Sequence, residues 1–319
     1  MSFFSSIKQI GSKYKKIIII AVFIIWGLLA FGLGSIISWF FLSKATLDKF
    51  PEITKNDRIL IIAPHIDDEV VSSGGLIQQA KSVGSQVKVV YMTNGDENLY
   101  SIIGEDKSLK ISPQEFVSLG EQRMQEGVNA TQILGLTKDD LIFLGYPDGG
   151  LSSMLNKFYD TPHTSRGTKF DYNPYQGTYK KEQSYTGVNV FSDLEEIITN
   201  FNPNIIIVSH PRDKQPDHRA TYQFLEKILT DKNFQGKVFT YLVHYKMYPP
   251  DQKLNMNEFL YPPEKLFSQK GWVSFDLTQE QENKKLEAVN QNKSQLEFSE
   301  VNNLIRSFVK RNEIFEEMD

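Results

Sequence analysis

Runs of apolar residues recur along this chain, and their spacing constrains the fold more than any other sequence feature. The first, RILIIAP at residues 58–64, lacks polar alternation, so it predicts a strand that is buried on both faces and parallel to its neighbours. Further strands are predicted at residues 86–93, 141–144, 204–209 and 237–243, and helices at residues 70–83, 113–134, 193–201 and 217–229. This alternation predicts an α/β fold with a doubly wound, Rossmann-like and mostly parallel sheet flanked by helices.

Composition excludes several classes of function. The 319 residues are 40% hydrophobic, which is enough for the core of one large domain. The net charge of −4, without a basic cluster on a predicted helix face, predicts no nucleic-acid partner. Cysteine is absent, which excludes thiol catalysis, disulfides and cysteine-ligated zinc. A bound metal would need His, Asp or Glu, and the histidines are His65, His163, His210, His218 and His244.

Residues 17–41 form an uncharged apolar segment that is long enough to cross the hydrocarbon core of a bilayer. Lysines cluster before it, so we expect residues 1–16 to be a cytoplasmic N-terminus and residues 17–41 a single-pass transmembrane anchor. The protein would then lie in the cell membrane, contact the lipid bilayer through this helix and place the following domain outside the cytoplasm. A cleaved signal peptide is disfavoured by the length of the run, whereas the opposite orientation stays open.

Residues 42–56 are predicted to be a polar linker, and residues 57–319 the folded domain. Two parts of this domain depart from the alternation. Residues 151–190 form a loop rich in aromatic residues, and residues 278–319 predict only one or two helices. Loops of this length are usually lids or binding loops, so the rings either contact a sugar or simply hold the loop in place.

A cluster of polar residues, His65-Ile-Asp-Asp-Glu69, directly follows the first predicted strand. Open α/β sheets bind ligands beyond the carboxyl ends of their strands, which is where this cluster falls. Acidic residues are also favoured at a helix start by the helix dipole alone. The motif by itself is therefore equally compatible with a structural role.

A second cluster lies after the predicted strand at 204–209, where His210 ends the strand and Asp217-His218 begin a helix. Both clusters follow carboxyl ends of parallel strands, so they are expected to converge. One carboxylate and two imidazoles form a common open zinc site, with the fourth position left for water. A further carboxylate beside them would act as general base, and Asp67 and Asp68 point in different directions on a turning backbone.

These motifs resemble those of the PIG-L, or LmbE-like, de-N-acetylases, over about residues 58–315. The family includes deacetylases of N-acetylglucosaminyl-phosphatidylinositol and of mycothiol and bacillithiol precursors. The matching segments are His65-Ile-Asp-Asp-Glu69, Thr93-Asn94-Gly95, Arg123 with Glu126 ahead of Leu134-Gly135, Asp148-Gly149 and Gln215-Pro-Asp217-His218. The resemblance implies a Zn²⁺-dependent catalytic domain, although such ligands also accept other divalent metals.

The resemblance also implies roles for single residues. The zinc ligands would be His65, Asp68 and His218, with Asp67 as the general base. Arg123 and Asp148 would contact the substrate. For Arg123 the alternative is an ion pair with Glu126 on its own helix, and for Asp148 a turn before Gly149.

Two residues depart from the family pattern. Ile66 replaces a proline, which should loosen the loop. Gln215 stands where the family usually has a histidine that stabilises the oxyanion or protonates the leaving amine, and a glutamine donates a hydrogen bond but cannot pass a proton. Losing one oxyanion donor typically costs roughly 10²–10³ in rate. Gln215 and His210 are therefore both candidate catalytic residues, with His244 as a further alternative from another strand end.

The resemblance implies a metal-dependent hydrolase that removes an N-acetyl group from an amino sugar in a glycan, glycolipid or cell-envelope polymer. A glycan-binding protein that has kept the fold and lost the chemistry is the main alternative, and Gln215 is its best support. A metal-dependent phosphoesterase would usually need a second metal and more carboxylates.

Overall fold

The computed structural model of the chain describes residues 22, 25–27, 47–97, 112–267 and 271–318. The chain divides into two compact units, Met1–Leu47 and Asp48–Asp319. The elements below belong to the second unit.

The central feature of this unit is a single sheet with mostly parallel strands. Its strands are β1 (Asp48–Lys49), β2 (Arg58–Ala63), β3 (Gln86–Thr93), β4 (Leu141–Tyr146), β5 (Ile205–Ser209), β6 (Lys237–Tyr241), β7 (Trp272–Asp276) and β8 (Asn312–Met318). Among the described residues they form an eight-stranded sheet in the order β1-β7-β8-β6-β5-β2-β3-β4. Strand β8 runs antiparallel to β6 and β7, and the other described pairings are parallel.

Helices cover both faces of the sheet. They are α1 (Asp68–Ser82), α2 (Pro113–Ile133), α3 (Leu151–Leu155), α4 (Gly187–Phe201), α5 (Pro216–Lys232), α6 (Glu264–Phe267), α7 (Gln279–Val289), α8 (Lys293–Leu296) and α9 (Ser299–Ser307), with a 3₁₀ turn at Lys138–Asp140. Helix α7 packs on α1 and α2, whereas α5 packs on α3 and α4. The predicted α/β fold with a mostly parallel sheet flanked by helices is confirmed.

The central strands are buried on both faces, as their uninterrupted apolar sequence predicted. Ile59 of β2 lies opposite Val87 of β3 and Ile205 of β5. Leu60 and Ile62 are fully buried in a core cluster that includes residues of α3, α4 and α5. Because side chains alternate along a strand, the intervening residues Ile59 and Ile61, also fully buried, face the other layer of helices.

The C-terminal part of the chain contains two strands that the sequence did not reveal. Strand β8 places Glu313 and Glu316 in the core, and its acidic residues hid the strand from a reading based on hydrophobic pattern. Glu313 accepts hydrogen bonds from the backbone N–H groups of Gly75 and Leu76 and from Lys285. These contacts fall directly after Ser73, where α1 departs from helical geometry.

The aromatic loop at 151–190 folds against the edge strand β4 and contains α3. Tyr175 and Tyr185 are fully buried, and the hydroxyl of Tyr175 donates a hydrogen bond to Asp96. These two rings hold the loop in place. Tyr172 is 38% exposed, so contact with a sugar stays a prediction for the more exposed rings.

The predicted linker at 42–56 is partly built into the second unit. That unit begins at Asp48, and β1 pairs with β7. Phe50 and Ile53 are both buried, and the ring of Phe50 packs against that of Phe239.

The predicted location in the cell membrane is contradicted. In the ranges given above, no helix is long and apolar enough to cross a membrane. Apart from Val22 and residues 25–27, the predicted anchor at 17–41 lies outside the described residues. Hydropathy and charge bias are properties of sequence alone, whereas a membrane span needs a continuous apolar helix of about 20 residues.

Candidate metal and catalytic site

The two predicted polar clusters meet at the carboxyl ends of β2 and β5. From β2 the chain continues outward to β3 and β4 on one side, and β5 and β6 lie on the other side. The gap between β2 and β5 is thus the point where the strand order reverses, at which open α/β sheets bind ligands. His65 follows β2, and His218 lies in the first turn of α5, which follows β5.

His65, Asp68 and His218 converge on one point. One ligand atom from each lies within 4.8 Å of the others. The Oδ2 atom of Asp68 is 3.4 Å from Nδ1 of His65 and 3.3 Å from Nε2 of His218. The structure therefore brings together the three residues predicted as metal ligands, although 153 positions separate the two histidines.

The donor set suits a divalent cation. Nε2 of His218 is fully buried and has no hydrogen-bond partner among the described residues, although it points toward the carboxylate of Asp68. A buried, unpaired imidazole nitrogen is costly unless a ligand satisfies it. Burial opposes ionisation of Asp68, but the charges of His218 and His65 outweigh it and hold its pKa well below the usual value. Two imidazoles and one ionised carboxylate match an open zinc site.

Asp213 supports this site from behind, and sequence reasoning missed it. Its Oδ2 atom lies 3.2 Å from Nδ1 of His218 and accepts hydrogen bonds from the backbone N–H groups of Val243 and His244. A carboxylate on the far nitrogen of a metal-binding histidine fixes its tautomer and ring orientation. The spacing of five residues to His218 carried no recognisable signal, because the two meet through the turn between β5 and α5.

Asp67 lies beside the ligand set and remains partly accessible, with 13% of its side chain exposed. Burial raises the pKa of Asp67 to about 7, despite the opposing charge of Arg123. A carboxylate that titrates near the working pH is suited to accept and return a proton. The position of Asp67 thus fits the predicted general base, a role that stays a prediction.

The backbone of Asp67 adopts a conformation that L-residues avoid, with φ 129° and ψ −31°. Such a residue typically costs about 1–3 kcal/mol and persists only when its surroundings impose it. Its carbonyl accepts hydrogen bonds from the backbone N–H groups of Val70 and Val71 at the start of α1. The strained backbone thus belongs to the predicted general base, whose carboxylate would have to point into the cleft.

Arg123 lies beneath this loop and is only 3% exposed. Its guanidinium donates hydrogen bonds to the carbonyl oxygens of Gly95, at 2.8 Å, and Ile66, at 2.6 Å, and lies 3.5 Å from Asp67. Glu126, the alternative partner considered for Arg123, accepts hydrogen bonds from Ser294.

Asp148 lies on the other side of His65. Its Oδ1 atom is 3.3 Å from Nε2 of His65, and Asp217 approaches the same nitrogen at 3.7 Å. These three residues form a second group whose ligand atoms lie within 4.8 Å of one another. Burial disfavours the charged ring, but Asp148, Asp217 and Asp68 raise the pKa of His65 well above its usual value. Asp148 is therefore placed to orient the ring while the other nitrogen of His65 faces Asp68.

Gln215 is the residue before α5 and uses its side chain to cap that helix. Its Oε1 atom accepts hydrogen bonds from the backbone N–H groups of Asp217 and His218. Because the oxygen is fixed by these two donors, the amide nitrogen must face the cleft, where it lies 3.2 Å from Nε2 of His65. Gln215 thus presents a held, neutral hydrogen-bond donor next to the proposed metal ligands.

The remaining histidines contribute differently. His210 does not join the cluster, because Nδ1 accepts from the N–H of Arg212, Nε2 contacts Glu316, and the ring stacks on Trp272. His244 does approach, with its ring 4.8 Å from that of His218. Burial, together with the charge of His218, lowers the pKa of His244 to about 4.

His163, in the aromatic loop, is half-buried. Its ring centroid lies 4.9 Å from that of Phe158, and the ring is close to Gly150.

Comparison with known proteins agrees with this geometry. A family model described as PIG-L, GlcNAc-PI de-N-acetylase, matches residues 60–229, which is more than half of the chain. A 1D-myo-inositol 2-acetamido-2-deoxy-alpha-D-glucopyranoside deacetylase of Mycobacterium sp. (strain JLS) is 27% identical over 197 residues, covering 59% of this chain and 55% of the relative. The chain spans about half the length of the curated relatives it matches.

Solved structures share the fold at low identity. The N,N'-diacetylchitobiose deacetylase from Pyrococcus horikoshii is 20% identical, with a TM-score of 0.52, and the match covers 83% of this chain and 85% of that one. A 4-carboxy-2-hydroxymuconate hydratase from Pseudomonas putida is 12% identical, with a TM-score of 0.52, covering 82% and 95%. These identities show the fold alone, and one fold carries several reactions. The family match and the convergence of its motif residues in one cleft establish that the chain belongs to the PIG-L family.

Proposed function

We propose that the chain is a zinc-dependent N-deacetylase that hydrolyses the acetamide of an amino sugar. The observation that carries the proposal is the convergence of His65, Asp68 and His218 within 4.8 Å, with Asp67 beside them. The family is metal-dependent, and the curated relative from Mycobacterium is named for removing an acetyl group from an acetamido sugar. Both facts support an amide hydrolase.

His65, Asp68 and His218 would hold the metal. When bound, zinc supplies the Lewis acidity that activates water near neutral pH. Asp67 then takes a proton from the water that attacks the acetamide carbonyl and passes it to the departing nitrogen as the C–N bond breaks. The products are acetate and the free amino sugar.

Gln215 would donate a hydrogen bond to the developing oxyanion through its amide nitrogen, because its oxygen is committed to the helix cap. Gln215→Glu is a sharp test, since it keeps a capping oxygen and removes the donor. We expect kcat to fall by roughly 10²–10³, the usual effect of losing one oxyanion donor. An unchanged kcat would remove Gln215 from the mechanism.

The substrate class is tested with the purified full-length chain, by metal analysis and by acetate and amine release from N-acetylglucosamine conjugates. The proposal expects zinc and turnover in the wild type, and zinc without turnover in Asp67→Asn. Normal turnover in that variant would refute the role of Asp67.

A non-catalytic glycan-binding protein is the second candidate, and one observation favours it. Gln215 cannot supply a proton, and His210 is engaged elsewhere. Zinc binding and glycan binding without acetate release from any conjugate would support this candidate against the deacetylase.

A further inference from the structure

We propose that Arg123 is a positioning residue that fixes the orientation of the peptide unit between Ile66 and Asp67, in the loop that joins the proposed ligands His65 and Asp68. The inference rests on the proposed metal site, because it assigns Arg123 to the loop between the ligands His65 and Asp68. It differs from the substrate contact that the family resemblance implied for Arg123.

The peptide unit between Ile66 and Asp67 is fixed at both ends. Its carbonyl oxygen, on Ile66, accepts a hydrogen bond of 2.6 Å from Nη2 of Arg123. Its N–H group, on Asp67, donates a hydrogen bond of 3.1 Å to Oε2 of Glu69. The angle φ of Asp67 describes rotation of this peptide plane about the N–Cα bond. Because the carbonyl of Asp67 is itself held by the N–H groups of Val70 and Val71, fixing this plane fixes φ at 129°.

A released peptide plane would rotate toward a conformation that suits an L-residue. Asp67 sits between the two ligands on this loop, and the backbone N–H of His65 is tied to the carboxylate of Asp68 at 3.0 Å. Rotation at Asp67 would consequently move the carboxylate of Asp68 relative to both imidazoles. Arg123 thus acts on the metal site through the backbone.

The surroundings of Arg123 are shaped for this contact. Nη1 donates a hydrogen bond to the carbonyl of Gly95, and a Cβ on Gly95 would lie only 1.9 Å from that nitrogen. Gly95 also has φ +65°, which glycine adopts without cost. The Thr93-Asn94-Gly95 turn therefore admits a guanidinium that bridges the loops after β2 and β3. With 3% of Arg123 exposed, this bridge is closed to a substrate.

The experiment measures Zn²⁺ affinity of the full-length chain by competition with a fluorescent chelator. Arg123→Met is introduced into three backgrounds, namely wild type, Asp67→Asn and Asp67→Gly. Asparagine removes the charge of Asp67 but keeps its β-carbon, whereas glycine also accepts φ 129° without a held peptide. Glu126→Gln is the control, because Glu126 lies one turn further along α2 and binds Ser294.

We expect Arg123→Met to weaken Zn²⁺ binding by about 10–100-fold in wild type and in Asp67→Asn, as for other supports of metal ligands. In Asp67→Gly the same change should alter affinity by no more than about twofold, the usual limit for uncoupled sites. Glu126→Gln should leave affinity unchanged. In wild type, Arg123→Met should lower kcat and leave KM within about twofold, because an interaction with substrate is not removed.

Several results would overturn the proposal. An equal loss of affinity in all three backgrounds would show a general structural role, and a loss that vanishes in both Asp67 variants would show a purely electrostatic one. A raised KM with unchanged zinc affinity would restore the substrate contact. Absence of zinc binding in wild type would refute this inference together with the proposed function. The expected affinities without acetate release from any conjugate would refute the proposed function alone.

Discussion

The ion pair between Lys285 and Glu313 offers a quantitative test of how β8 stabilises the fold. The two side chains are each 1% exposed and lie 2.7 Å apart. Removing one partner of a buried pair typically costs about 3–5 kcal/mol, because the other charge is left uncompensated. The two partners are not equivalent, because Glu313 also accepts hydrogen bonds from the backbone N–H groups of Gly75 and Leu76.

We therefore expect Lys285→Met to cost about 3 kcal/mol, the low end of that range, since Glu313 keeps two backbone donors. Glu313→Leu should cost about 5 kcal/mol or more, because it strands a buried ammonium and two N–H groups. Urea unfolding with a constant m-value measures both. The control is Lys49→Met, which breaks an exposed pair with Asp276 and should cost less than about 1 kcal/mol. A cost for Lys285→Met no larger than this control, or a larger cost than for Glu313→Leu, would refute the reasoning.

Three further predictions concern single side chains. Gly95→Ala should lower the free energy of unfolding in urea by more than Gly84→Ala. Both glycines have positive φ, but only the alanine at 95 would meet a side chain. Equal losses of stability in the two variants would contradict this. Asp213→Asn should weaken zinc binding by about 10–100-fold in chelator competition, with unchanged affinity as the contrary result. Burial acts to raise the pKa of Asp57, but hydrogen bonds from Thr54 and from the side-chain amide of Asn204 outweigh it and lower this pKa. The ionised Asp57 should therefore stabilise the fold above the pKa that this group has in the unfolded chain, and this effect should vanish as pH falls through its pKa in the folded protein. The free energy of unfolding of Asp57→Asn should then differ from that of wild type only at the higher pH. A difference that persists in acid would contradict this.

Much of the sheet could be predicted from sequence because its central strands are buried on both faces. The apolar runs at 58–64 and 204–209 could be recognised as strands without knowing their partner strands, and they correspond to β2 and β5. Strand β8 was missed for the opposite reason. Its buried glutamates are acceptable only because Lys285 and His210, distant in sequence, meet them in the fold.

Apolar content alone misled the prediction of location. Residues 17–41 have the composition of a membrane span, but most of them lie outside the described residues. In the part of the chain that the structure does describe, no helix meets the requirement for crossing a membrane.

The sequence by itself determined which groups stand at the carboxyl ends of β2 and β5, because strand ends and helix starts follow from local pattern. It thereby supplied His65, Asp68 and His218, which the family resemblance implies as metal ligands. Only the tertiary structure decided what surrounds them, since the contacts of Asp213 with His218 and of Arg123 with the carbonyl of Ile66 join segments that are brought together by chain folding. Local sequence specifies which atoms are available, and the distances between remote segments specify what those atoms do.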